Sequence, residues 1–167
     1  DGATKAGIAG ATVRATGPVD VSITTGNDGA YVLPNLPAGS YNLSASASSF
    51  AGPVTQSTSV PPDRSNINFI LCETGRWRGE YYPNRQFTGT PIVQCDQNID
   101  FYWGIDSPMS GIPAGDFSVR WSQVLSMPET ACYRFRTFAA GRLDLLMYSA
   151  PVVSDTTDRI PFAEKST

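Results

Sequence analysis

IDFYWGIDSPMSGIPAGDFSVRW, running from Ile99 to Trp121, holds two aromatic-rich runs around a turn-rich centre. Phe117, Val119 and Trp121 alternate with Ser118 and Arg120. That period of two marks a strand with one apolar and one polar face. Ile99, Phe101 and Trp103 alternate in the same way with Asp100 and Tyr102. Between the runs lie Pro108, Gly111, Pro113 and Gly115, a spacing of breakers that no helix survives. The stretch predicts two sheet strands joined by a long, conformationally specified loop, with an all-β chain around them.

Working back toward residue 1, the same signal recurs. Ala11–Thr16 alternates around Val13. Val19, Val21 and Ile23 share one face, and Tyr41, Leu43 and Ala45 another. Ala30–Leu33, Val54–Val60 and Ile67–Leu71 read as further strands. Gly17-Pro18, Gly26-Asn27-Asp28-Gly29 and Asn35-Leu36-Pro37-Ala38-Gly39 are turns, because Asn, Asp and Gly tolerate the backbone angles that tight reversals need. Short strands with turns at this spacing predict a β-sandwich rather than βαβ units.

Composition narrows the function. The chain has 167 residues, 41% hydrophobic and 16% charged, with a net charge of −3. No basic cluster offers itself to a phosphate backbone, so nucleic acid is not an expected partner. Arg76 with Arg78, and Arg134 with Arg136, read as solvated strand faces. Histidine is absent, which removes the usual general base and the commonest transition-metal ligand. No run approaches the roughly 20 apolar residues that cross a bilayer. Asp1 is preceded by neither a start methionine nor a signal-peptide pattern, so the chain reads as a mature or trimmed product. None of Cys72, Cys95 and Cys132 forms a C-x-x-C pair, which argues against zinc and thioredoxin-like chemistry.

AGATV at Ala9–Val13 and TTGNDGAYVLPNLPAGSYNLSAS at Thr24–Ser46 resemble the carboxypeptidase regulatory-like domain. That resemblance implies a small transthyretin-like β-sandwich over residues 1–73, usually a structural or adhesive spacer without a reaction of its own. The strand that normally opens this family is not supplied by Asp1–Gly7. After Glu73-Thr74-Gly75, a short and stiff junction, the chain resembles a PA14 domain over residues 74–167. The resemblance rests on G-x-Y-Y-x-N at Gly79–Asn84, W-G-x-x-S-P at Trp103–Pro108, G-I-P-A at Gly111–Ala114 and F-S-V-R-W at Phe117–Trp121. It implies a β-sandwich or barrel, and in several members carbohydrate binding, in some through calcium held by consecutive aspartates. Those aspartates align here with Ala139 and Ala140, whose methyl groups cannot ligate calcium. Asp144 is left alone, and no metal or other cofactor is expected.

If the chain is secreted, its odd cysteine count suggests one disulfide and one leftover thiol, with Cys95–Cys132 as the candidate pair; three reduced, buried cysteines are the alternative. Asp96, Asp100, Asp106 and Asp116 could gather around a hard cation, or cap turns as isolated loop aspartates do. Glu73, Glu80, Asp96, Asp100 and Asp144 are the available carboxylates, and no spacing sets two of them face to face. The expected function is therefore a non-enzymatic, extracellular structural or surface-display module. Its partners would be a second copy or another surface protein, through strand completion by Val152, Val153, Ile160 and Phe162. The alternative is carbohydrate binding through Tyr82, Trp103, Asp106 and Asp144. A lysine–asparagine isopeptide between Lys5 and Asn66 or Asn68 is a further candidate. After Tyr148 only Val152-Val153 is expected to form a strand; the rest reads as a tail.

Overall fold

The computed structural model describes residues 1–131, 133–139, 141–155 and 162–166. Among them are eleven β-strands and no helix, so the all-β expectation holds. The chain divides into two compact units, Asp1–Leu125 and Ser126–Thr167.

The first unit begins with a four-stranded antiparallel sheet of order β2-β1-β3-β4, made of β1 (Thr12–Thr16), β2 (Asp20–Thr24), β3 (Gly39–Ser46) and β4 (Val54–Val60). Val13, Ala15, Tyr41, Leu43 and Ala45 are buried, while Arg14, Asn42 and Ser46 are exposed. The register places Val13 opposite Ala45 and Ala15 opposite Leu43, so the two apolar rows coincide. Burying side chains of this size is worth about 1.5–3 kcal/mol for each of the larger ones. Gly39, at φ 151°, lets the chain pass Pro18, whose Cγ would lie 2.4 Å from a Cβ there.

The layer facing this sheet is built differently from the expectation. Tyr31, Leu33, Leu36, Ile67 and Phe69 pack on the sheet's apolar face, and Leu71 is part of that core. Ala30–Leu33 and Ile67–Leu71 nevertheless lie outside any ladder. Alternation made them bury one face; it did not give them a partner backbone.

Within the same unit, β5 (Trp77–Tyr82), β6 (Ile92–Asp96) and β7 (Ser118–Ser122) form an antiparallel sheet of order β6-β5-β7. Of the two strands expected in Ile99–Trp121, Phe117–Trp121 supplies β7. Ile99–Trp103 does not enter a ladder. It delivers Phe101 and Trp103 onto Trp121 instead, through ring contacts.

The second unit holds β8 (Arg134–Phe138), β9 (Leu143–Met147), β10 (Ala150–Asp155) and β11 (Phe162–Ser166). β9 pairs with β10 and β8 with β11, both antiparallel. Tyr148 and Ser149 link β9 to β10 with φ of 50° and 64°. Two positive φ values in a two-residue loop define the hairpin turn that matches strand twist. The tail expectation is corrected here, since Phe162–Ser166 is a strand.

Candidate functional site

The two faces of the β6-β5-β7 sheet do different work. Register places Arg78 opposite Cys95 and Gly79 opposite both Gln94 and Trp121. Arg78, Glu80 and Cys95 therefore share one face, and Trp77, Gly79, Tyr81, Gln94, Asp96 and Trp121 the other.

The first of these faces meets the end of the preceding sandwich. Cys95 forms a disulfide with Cys72, with a Cα–Cα distance of 5.4 Å. The Cys95–Cys132 expectation is thereby overturned, and Cys132 lies outside the described residues. Strand alternation gives the reason: Cys95 sits on the face turned toward Ile70–Cys72, where Arg78 Nη1 also donates to Ile70 O at 2.6 Å. Lys5 Nζ donates to Val93 O at 3.1 Å, which directs it away from an isopeptide with Asn66 or Asn68. Backbone bonds from Thr74 to Ser49 O (2.9 Å) and from Ala51 to Cys72 O (2.8 Å) fix the junction itself. Arg76 and Arg78 are not merely solvated, since they pair with Glu73 at 3.1 Å and Glu80 at 3.3 Å.

The opposite face is organised by Asp96. This carboxylate is 4% exposed. Its Oδ2 accepts from the Tyr81 hydroxyl at 2.7 Å and from Trp121 Nε1 at 2.8 Å, and its Oδ1 accepts from Gln94 Nε2 at 2.9 Å. Charge-assisted bonds of this kind are roughly twice as strong as neutral ones. Burial, with the adjoining Asp96 bond and charge, pushes the Tyr81 hydroxyl well above the ordinary tyrosine range. Gly79 makes room for the arrangement, because a Cβ there would lie 2.4 Å from Asp96 Oδ2. Trp121 then carries an aromatic group: it stacks with Phe101 at 5.7 Å and with Trp103 at 6.1 Å between centroids, with near-parallel planes. Phe117 meets Trp103 edge-on at 5.4 Å.

The motif residues prove to be builders. Asn84 Oδ1 accepts from Gln86 N at 3.0 Å and Thr88 N at 3.1 Å, which closes a turn. Ser107 Oγ reaches the carbonyls of Met109 and Ile112, and Ile112 is buried.

Of the residues put forward for carbohydrate, Tyr82, Trp103 and Asp106 lie in the first unit and Asp144 in the second. Tyr82 is buried, edge-on to Phe87 at 5.6 Å. Trp103 belongs to the aromatic group, and exposed Asp106 follows it in a turn closed by Asp106 N to Trp103 O at 2.8 Å. Among the described residues no ring contact or hydrogen bond joins Tyr82 to either. Asp144 lies on β9 of the other unit, paired with Arg142 at 3.2 Å. Asp116 pairs with Arg85 at 3.1 Å, and Asp96 is a network centre rather than a turn cap. No group of three or more potential metal ligands occurs among the described residues. Val152 and Val153 lie in β10 and Phe162 opens β11, each strand with an in-chain partner along one edge. Ile160 and Ala140 lie outside the described residues.

This is an all-β chain in which a sandwich is joined covalently to a second, aromatic-rich sheet. The carboxypeptidase regulatory-like domain matches residues 1–71 and the PA14 domain matches residues 73–157. The chain belongs to the PA14 domain family, with a carboxypeptidase regulatory-like domain ahead of the PA14 domain. Both domains are typical of extracellular proteins, which points to a surface or extracellular module. A curated relative, the anti-sigma-I factor RsgI3 of Acetivibrio thermocellus, is 38% identical over 81 residues, which is 48% of this chain and 13% of that protein. No solved structure gives a significant match. No helix of the described residues is long and apolar enough to cross a membrane.

Proposed function

We propose that the chain is a non-enzymatic structural or surface-display module that works outside the cell, with its domain division after Glu73. The observation that carries this reading is the Cys72–Cys95 disulfide across that division. Disulfides form and persist in oxidising compartments. One placed at a domain junction resists separation of the two parts, which suits a spacer or display element under load. The matched stretch is a small share of the anti-sigma-I relative, which agrees with an appended module. Assembly with a second copy or another surface protein through added strands belongs to the same reading. Limited trypsin digestion tests it: the oxidised protein should resist cleavage at Arg76 and Arg78, and the reduced protein should be cut there. Equal cleavage in both states would count against a covalently reinforced junction.

A second reading, carbohydrate binding, draws on the Phe101–Trp103–Trp121 group. Phe101 is 40% exposed, and flat aromatic rings with partly open faces suit sugar rings. Retention on an insoluble polysaccharide in the presence of a calcium chelator, lost in Trp103→Ala, would favour it. Wild-type protein that is not retained would remove it.

A further inference from the structure

The Cys72–Cys95 bond is almost closed to solvent, with Cys72 4% and Cys95 5% exposed. One of the groups that closes it is the backbone at residue 2. A Cβ at Gly2 would fall 2.2 Å from Cys95 Sγ and 2.7 Å from Ile70 Cγ2, so only a glycine lets the chain lie there. Gly2 N donates to Leu71 O at 2.9 Å, and that same carbonyl oxygen lies 3.6 Å from Cys95 Sγ.

The rest of this segment is held lightly. Residues 3–7 are exposed, and Gly2 is the buried member of residues 1–7. Ala3 N donates to Asp1 Oδ1 at 2.9 Å and Thr4 Oγ1 to Asp1 Oδ2 at 2.6 Å, bonds made within the segment itself. Lys5 Nζ, donating to Val93 O at 3.1 Å, ties it to the strand that carries Cys95. Lys5, Ala6 and Gly7 border a groove of about 350 Å³, so little packing resists their lifting. Segments with few buried contacts and exposed hydrogen bonds open at low free-energy cost.

We propose that residues 1–5 are a strap that controls thiol access to the junction disulfide, and that Cys95 is the sulfur it uncovers. When the strap lifts, a thiolate reaches Cys95 Sγ. A disulfide between Cys95 and the incoming thiol forms as the Cys72–Cys95 bond breaks. Cys72 leaves as a thiolate and takes up the proton that the incoming thiol gave up. A second thiol then frees Cys95, and the two thiols, having supplied two electrons, are left as a disulfide. The position of a short exposed segment thereby sets how long the covalent junction lasts in a thiol-containing medium. The inference deepens the reinforced-junction reading and rests on it for the bond itself.

The test exposes the intact oxidised protein to reduced glutathione under native conditions, quenches with iodoacetamide and maps the peptides without reductant. Early samples should carry glutathione on Cys95 and a carbamidomethyl group on Cys72. Gly2→Ala, whose methyl group cannot share the place of Cys95 Sγ, should react about tenfold faster, the equivalent of one lost net hydrogen bond. Lys5→Met removes the tie to Val93, leaves Gly2 in place and should give a smaller rise. In guanidinium chloride the wild type and both variants should react alike. Amide protection at Val13 and Leu43, inside the sandwich, should be the same in all of them. Glutathione on Cys72 instead, no acceleration in either variant, or acceleration matched by lost protection at Val13 and Leu43 would overturn the proposal. Such a failure leaves the protease result at Arg76 and Arg78 standing, so the two readings fail separately.

Discussion

The β2-β1-β3-β4 sheet and the β6-β5-β7 sheet are both antiparallel and lie in one compact unit, yet they are held by different physics. The first buries a row of side chains chosen for size: Val13, Ala15, Leu43 and Ala45, with Tyr41 sending its hydroxyl out to Pro37 O at 3.0 Å. The second buries a carboxylate, and its centre depends on which atoms face Asp96. A core built on volume tolerates exchange of one apolar group for another. A core built on a shared acceptor does not tolerate a change of donor to acceptor. Conservative substitutions therefore separate the two regions better than drastic ones.

Gly79→Val should have the largest effect. The added Cβ collides with Asp96 and the Tyr81 ring, and overpacking of this kind costs about 1–3 kcal/mol or more. Asp96→Asn comes next. It keeps the shape but turns one oxygen into an NH2 among donors, and a buried donor left unsatisfied costs about 1–3 kcal/mol. Chemical denaturation should show a lower midpoint with an unchanged slope. Leu43→Met, a volume-conserving change in the other sheet, should cost under about 1.5 kcal/mol. If Leu43→Met proves as damaging as Asp96→Asn, the contrast between the two regions fails.

Alkaline titration sharpens the same contrast. The folded state raises the Tyr81 hydroxyl above its ordinary value. The neutral form is thus favoured by folding, and this contribution is complete below the unfolded tyrosine value of about 10. It is lost as pH rises beyond that toward the folded value. Stability should fall above about pH 10, and fall less steeply in Tyr81→Phe. The smallest expected effect is that of calcium: with Ala139 at a position where the family's ligand stands, millimolar calcium should leave the melting temperature unchanged.

Much of the fold was legible because alternation reports burial directly. Tyr41, Leu43 and Ala45 alternate as one face in the sequence and are one buried face in the sheet. Alternation does not report pairing, which is why Ala30–Leu33, Ile67–Leu71 and Ile99–Trp103 read as strands and yet lie outside any ladder. β11 is not legible in the sequence because Phe162–Ser166 has little apolar pattern of its own and is defined by its register against β8. Tyr148-Ser149 lacks the Asn or Gly that announces a hairpin. The site was less legible still. Asp96 reads as one of several loop aspartates; only the register of Gly79 against Trp121 reveals that a Trp donor, a Tyr donor and a missing Cβ converge there. Gly79 in G-x-Y-Y-x-N was the signal, since a strand-interior glycine often marks a close approach.

The central claim is that a covalent bond ties the sandwich to the aromatic-rich sheet, and non-reducing peptide mapping tests it most directly. In the denatured but unreduced chain trypsin cuts after Arg76, Arg78 and Arg85, which separates Cys72 from Cys95, and after Arg120, which separates Cys132 from both. The account predicts one cross-linked pair containing Cys72 and Cys95, with Cys132 on a peptide not joined to either. A cross-link between Cys95 and Cys132, or free thiols at Cys72 and Cys95 in protein isolated without reductant, would contradict it.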